Sequence, residues 1–94
     1  MNKKELVKIK EKALKENIPI IMDDTLKIVG DLLNKINPKT MLEIGTAVGY
    51  SAICFSSYIA EGGFIDTIER DTERVKEAKI NIKKAEVEEK INII

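Results

Sequence analysis

Residues 41–53 read Met41-Leu42-Glu43-Ile44-Gly45-Thr46-Ala47-Val48-Gly49-Tyr50-Ser51-Ala52-Ile53. A short apolar run enters two glycines four positions apart and leaves on an apolar segment. This is the pattern of strand, tight turn and helix. Glycine permits positive φ and lets a ligand approach the backbone with no Cβ in the way. The unpaired amides of the following first helical turn face the same place. A chain that runs in this way can hold a nucleotide-like ligand at the turn.

Working outward, Met41 to Ile44 reads as a short buried strand and Tyr50 to Ala60 as a helix with Ile53, Phe55 and Ile59 among its apolar residues. Gly62-Gly63 breaks that helix. Phe64 to Glu69 is a second strand, and Asp71 is placed to cap a helix whose buried stripe is Val75, Ala78, Ile82 and Ala85. Lys90 to Ile94 begins a third strand. Strand, helix, strand, helix, strand is a βαβαβ unit, whose crossovers are right-handed and whose strands are parallel. The predicted fold class is therefore α/β: the first half of a doubly wound, Rossmann-like sheet in the order 3-2-1. Two helices precede it. Lys3 to Glu16 carries Leu6, Ile9 and Ala13 on one face, and Asn17-Ile18-Pro19 stops it. After the apolar loop Ile20-Ile21-Met22, a second helix starts near Asp23 or Asp24, either of which can cap it. Its apolar residues are Leu26, Val29, Leu33 and Ile36, with Leu32 alongside, and Asn37-Pro38 ends it. The chain divides into N-terminal helices, 1–37, and a sheet-bearing part, 38–94, of a single partial domain.

The composition narrows the function. Sixteen basic residues balance sixteen acidic ones, so no global field advertises nucleic acid or membrane, although lysines outnumber acids in the leading helix. No apolar run approaches the roughly 20 residues that span a bilayer. The Lys/Glu-rich N-terminus has no signal-peptide core, and a cytoplasmic location is expected. There is no histidine and one cysteine, Cys54, which leaves out an internal disulfide, Cys/His zinc sites and Ser-His-Asp triads.

Three ligand classes use a glycine turn of this kind. A phosphate loop needs G-x-x-x-x-G-K-[ST], but Tyr50 stands at the second glycine and no lysine follows. A dinucleotide fingerprint needs G-x-G-x-x-G, and the positions hold Gly45, Ala47 and Tyr50. S-adenosylmethionine carries no phosphate and needs room with hydrogen-bond partners. A turn of the form [DE]-x-G-x-x-x-G suits it, and Glu43 to Gly49 has that form. Glu69, at the tip of the neighbouring strand, is placed to accept ribose hydroxyls; a capping or surface carboxylate is the reading of the residue taken alone, which the glycine turn and the strand alternation outweigh.

"LEIGTAVGYSAI" followed by "IDTIERD" resembles the S-adenosylmethionine-dependent O-methyltransferases of the catechol and caffeoyl-CoA type. It is most similar to their bacterial branch that methylates 5-hydroxyuridine at the tRNA wobble position. The resemblance runs from Asn17 to Ile94. It implies a Rossmann-like methyltransferase fold, with Glu43 and Gly45 in the cofactor turn, Ser51 at the methionine end and Glu69 on the ribose. The branch usually shows Val-Pro-Ile-Met before the second helix, its methionine lining the cofactor pocket. Ile18-Pro19-Ile20-Ile21 occupies that motif here, so Ile21 stands at the methionine position, where simple core packing would equally explain it. The resemblance also implies Mg²⁺, which orients the acceptor oxygen and lowers its pKa. Its two aspartates and asparagine lie beyond the third strand, so no catalytic or metal-binding residue is assigned within these residues. The implied acceptor is tRNA or a small hydroxylated molecule. The 94 residues alone are expected to be inactive and, with strand one open at its outer edge, to form a homo-oligomer. The alternative is a non-catalytic nucleoside-binding or structural fragment.

Overall fold

A computed structural model describes residues 1–94. Helix α1 spans Lys3–Lys15, α2 Asp23–Ile36, β1 Thr40–Ile44, α3 Tyr50–Ser56, β2 Phe64–Ile68 and α4 Thr72–Lys84; a 3₁₀ turn, Glu88–Lys90, leads into β3, Ile91–Ile93. The strands are parallel in the order β1-β2-β3, with Thr40 opposite Phe64 and Ile65 opposite Ile91. This is the expected 3-2-1 arrangement.

The caps explain where the helices begin. Asn2 accepts the Glu5 amide at 3.2 Å, and Asp71 accepts the Glu73 amide at 2.9 Å, each satisfying a first-turn donor that has no helical partner. The second helix departs from expectation. Its N-cap is Met22, with no side-chain bond, and Asp23 and Asp24 lie one and two positions inside. There they complement the helix dipole; Asp24 accepts the amide of its neighbour Thr25 at 2.8 Å, and Asp23 is drawn to the Lys10 ammonium at 2.8 Å. Helix α3 stops at Ser56, short of Ala60. The Ser56 and Ser57 hydroxyls donate to the carbonyls of Ile53 and Cys54 at 2.6 and 3.0 Å. Such back-bonding competes with continuation of the helix, and the chain turns through Tyr58 and Ile59. Strand β2 ends one residue before Glu69, and Lys90 belongs to the 3₁₀ turn rather than to β3.

Every helix lies on one side of the sheet. Met41, Glu43, Ile65, Thr67, Ile91 and Ile93 alternate toward the helices and are buried or half-buried, with Ile53, Phe55, Ala78 and Ile82 among the buried residues of the helical layer. The other face is bare. Leu42 is 62% exposed and Ile44 74%, so β1 is not the buried strand that its apolar sequence suggests. Parallel strands read as continuous apolar runs because both faces are normally covered; here one layer of helices covers only one. Gly63 closes the crossover from α3 to β2. A Cβ there would lie 2.1 Å from the Lys39 carbonyl oxygen, so no other residue fits without moving the backbone.

Candidate functional site

The turn between β1 and α3 is held in an unusual backbone shape. Gly45 and Gly49 have φ of +91° and +89°, and Ala47 between them has φ of +49°. The Gly45 and Thr46 amides both donate to the Ile68 carbonyl, at 2.7 and 3.1 Å, which fastens the start of the turn to the end of β2. Asn81 of α4 donates its side-chain amide to the Val48 carbonyl at 2.8 Å and fastens the far end. Ala47 is held by a side chain: its amide donates to Glu69 Oε1 at 2.9 Å. Glu69 Oε2 accepts the Asp71 amide at 3.1 Å. These two N–H groups, Ala47 first, hold the Glu69 carboxyl below the usual carboxylate value.

Opposite the turn lies the loop between α1 and α2. Pro19, Ile20 and Ile21 face Gly45, Thr46, Ala47, Val48, Tyr50 and Ser51 across a cleft of about 170 Å³. An added Cβ at Gly45 would meet nothing within 4 Å, so the space beside this glycine is open. The volume is below the roughly 300–1,000 Å³ of a complete small-molecule site. It is room for one end of a ligand.

Behind the cleft is a buried polar network. Ser51 donates its hydroxyl to Glu43 Oε2, and Thr67 donates to Glu43 Oε1 at 2.7 Å. The Thr46 and Thr67 hydroxyl oxygens are 2.7 Å apart. Thr46 and Thr67 are 1% and 0% exposed, and no buried side-chain N or O lacks a partner. Tyr50 packs beside Cys54, and burial pushes its hydroxyl up to about 12.

Of the residues singled out from the sequence, Ile21, Gly45 and Ser51 line the cleft together. Glu43 reaches it through Ser51. Glu69 stands outside the lining but grips Ala47, which belongs to it. Two residues were not legible as site residues. Thr67 passes for an ordinary β-branched strand residue, and only its place on the buried face two positions before Glu69 marks it. Asn81 is the polar neighbour of Ala78 and Ile82 on the helix stripe, which was the available signal. Larger grooves between α4 and β3 and between α1 and α4 lie away from the turn. The second is walled by ion pairs such as Lys12–Glu77 at 3.7 Å and Arg74–Glu77 at 3.3 Å.

Known proteins share this chain's sequence pattern and fold. The family model described as O-methyltransferase matches residues 2–94. Catechol O-methyltransferase domain-containing protein 1 of Mus musculus is 36% identical over 67 residues, covering 71% of this chain and 26% of the mouse protein. The solved structure of a putative caffeoyl-CoA O-methyltransferase from Staphylococcus aureus superposes with a TM-score of 0.88 at 34% identity, over 95% of this chain and 42% of that one. An O-methyltransferase from Bacillus cereus in complex with SAH superposes at 0.86 with 24% identity, over 97% of this chain and 42% of that one, a likeness of fold. The chain therefore spans about a quarter of the mouse protein and about two-fifths of these solved chains.

Proposed function

Because this chain belongs to the O-methyltransferase family, we propose that its sheet-bearing part, residues 38–94, is the S-adenosylmethionine-binding half of an enzyme that transfers a methyl group to a hydroxyl acceptor. When bound, the cofactor supplies an electrophilic methyl on a sulfonium. The chain's own residues bind and orient it. Open space beside Gly45, at φ +91°, admits the ligand against the backbone. Ser51 and Glu43 offer oxygen partners at one end of the cleft. Glu69 offers carboxylate lone pairs for ribose hydroxyls, since each oxygen accepts only one N–H here and a carboxylate has about four acceptor sites. Ile21, with Ile20, forms the apolar wall. The observation that carries this reading is the open glycine turn linked directly to Glu69.

No cluster of three or more His, Cys, Asp or Glu side chains could hold a metal ion. These residues do not fit the family's Mg²⁺, and no step through it is assigned to them. A hydroxylated tRNA base is supported by Lys3, Lys4 and Lys15 of α1, which stand outside the ion pairs of that helix; Lys8, Lys10 and Lys12 are paired with Glu5, Asp23 and Glu77. A small catechol-like acceptor needs no such surface. Calorimetry of the full-length protein tests the cofactor reading: one-to-one binding of S-adenosylmethionine and S-adenosylhomocysteine is expected, and binding of neither would overturn it. Methyl transfer to tRNA or to catechols then separates the acceptors.

A further inference from the structure

The Thr67 hydroxyl has one proton and two neighbours. Glu43 Oε1 lies 2.7 Å away and the Thr46 hydroxyl 2.7 Å away. A carboxylate oxygen only accepts, so the Thr67 proton goes to Glu43, and Thr67 can only accept from Thr46. The chain of donors therefore has one direction: Thr46 to Thr67, Thr67 to Glu43. Ser51 donates to the remaining Glu43 oxygen. Thr67 is wholly buried, and Thr46 nearly so, which gives neither hydroxyl a water to turn to. Both oxygens of Glu43 are thus held, and its carboxyl plane is fixed between β2 and the start of α3.

We infer that Thr67 is a positioning residue for the cofactor turn, acting through Glu43 on Ser51. This rests on the reading of the cleft as an S-adenosylmethionine site. Thr67 lines no part of the cleft. Without its hydroxyl, Glu43 keeps one partner, its carboxyl is free to rotate about the end of its chain, and Ser51 loses a fixed acceptor. The Thr67–Glu43 bond is present before any ligand arrives, so its loss reaches binding through the ordering of Glu43 and Ser51 that the ligand must then supply, a cost that weakens binding by about 10-fold. The effect is local to one end of the ligand. Glu69 is held by the Ala47 and Asp71 amides, which do not involve Thr67.

The test uses the full-length protein with two probes. S-adenosylhomocysteine carries the amino-acid end; 5′-methylthioadenosine has the ribose, base and thioether without it. Thr67→Val keeps the shape and removes the hydroxyl, and Thr67→Ser keeps the hydroxyl. Thr67→Val is expected to weaken S-adenosylhomocysteine about 10-fold and to change methylthioadenosine by less than about 2-fold. Thr67→Ser is expected to restore most of the loss. Unchanged S-adenosylhomocysteine affinity in Thr67→Val overturns the inference. So does equal weakening of both probes, which is what a merely structural threonine would give. A parent protein that binds neither probe overturns the cofactor reading itself, and the inference with it.

Discussion

The Glu69 carboxylate accepts the Ala47 amide at 2.9 Å, joining the tip of β2 to the only non-glycine residue of the β1–α3 turn with positive φ. A left-handed alanine costs roughly 1–2 kcal/mol against the ordinary helical region. The bond aims the Ala47 amide and the Glu69 carboxyl at one another, so one acidic side chain both shapes the turn and stands beside the cleft.

Replacing Glu69 removes both roles. Glu69→Ala in the full-length protein is expected to weaken S-adenosylhomocysteine by about 10- to 100-fold, the size of a lost hydrogen bond to a charged acceptor. Calorimetry that shows unchanged affinity would remove Glu69 from the ligand's reach.

Two glycines answer differently to an added side chain. Gly45→Val places a branched side chain in open space at φ +91°, a backbone conformation that strains any side chain, so binding is expected to fall beyond detection and the melting temperature to drop with it, while circular dichroism at low temperature keeps the helix and strand signal. Gly63→Ala puts a Cβ 2.1 Å from a backbone oxygen, and the expected loss is in melting temperature. A Gly45→Val protein that binds as the parent does would contradict the close approach.

The pH dependence follows from the lowered Glu69 pKa. The folded chain holds this proton less tightly than the unfolded one, so the contribution to stability is present above the usual 4.5 and is lost as pH falls through the lower folded value. Carboxyl-detected NMR is expected to place the Glu69 midpoint below 4.5, with the Ala47 amide shift following it. A midpoint at or above 4.5 would contradict the two N–H bonds.

The isolated 94-residue segment is expected to self-associate and to transfer no methyl group. The outer edge of β1 has no neighbouring strand, and Leu42 and Ile44 stand exposed beside it. On α2, Ile28, Leu32 and Ile36 form a further exposed apolar stripe at helical spacing. Unpaired edges beside apolar surface pair with other chains. Light scattering is expected to give a mass above 10.6 kDa, and Leu42→Lys to lower it. A monodisperse monomer with turnover would contradict this account.

Much of this was legible because local signals agreed. Gly45, Gly49 and Glu69 stand at the spacing that a strand–turn–helix and a neighbouring strand tip require, and the βαβαβ alternation gave the sheet order. What was not legible depended on tertiary partners. Asp23 looks like a cap until Lys10 takes it. Ile44 looks buried because parallel strands usually are, whereas helices cover one face of this sheet only. Ser56 and Ser57 end α3 through bonds to carbonyls three residues back, which no periodicity reveals. Thr67 reads as strand-forming, and its hydroxyl matters only because Glu43 lies opposite in register.

The central claim is that the ligand meets the backbone between the Pro19–Ile21 loop and the Gly45–Ser51 turn, beside Glu69. Titrating S-adenosylhomocysteine into the ¹⁵N-labelled full-length protein and following amide shifts tests it most directly. The account predicts that the largest shifts fall on Ile21, Gly45, Thr46, Ala47, Ser51 and Glu69. Shifts concentrated instead on Lys79, Ile80, Lys83 and Asn92, along the groove between α4 and β3, would contradict it.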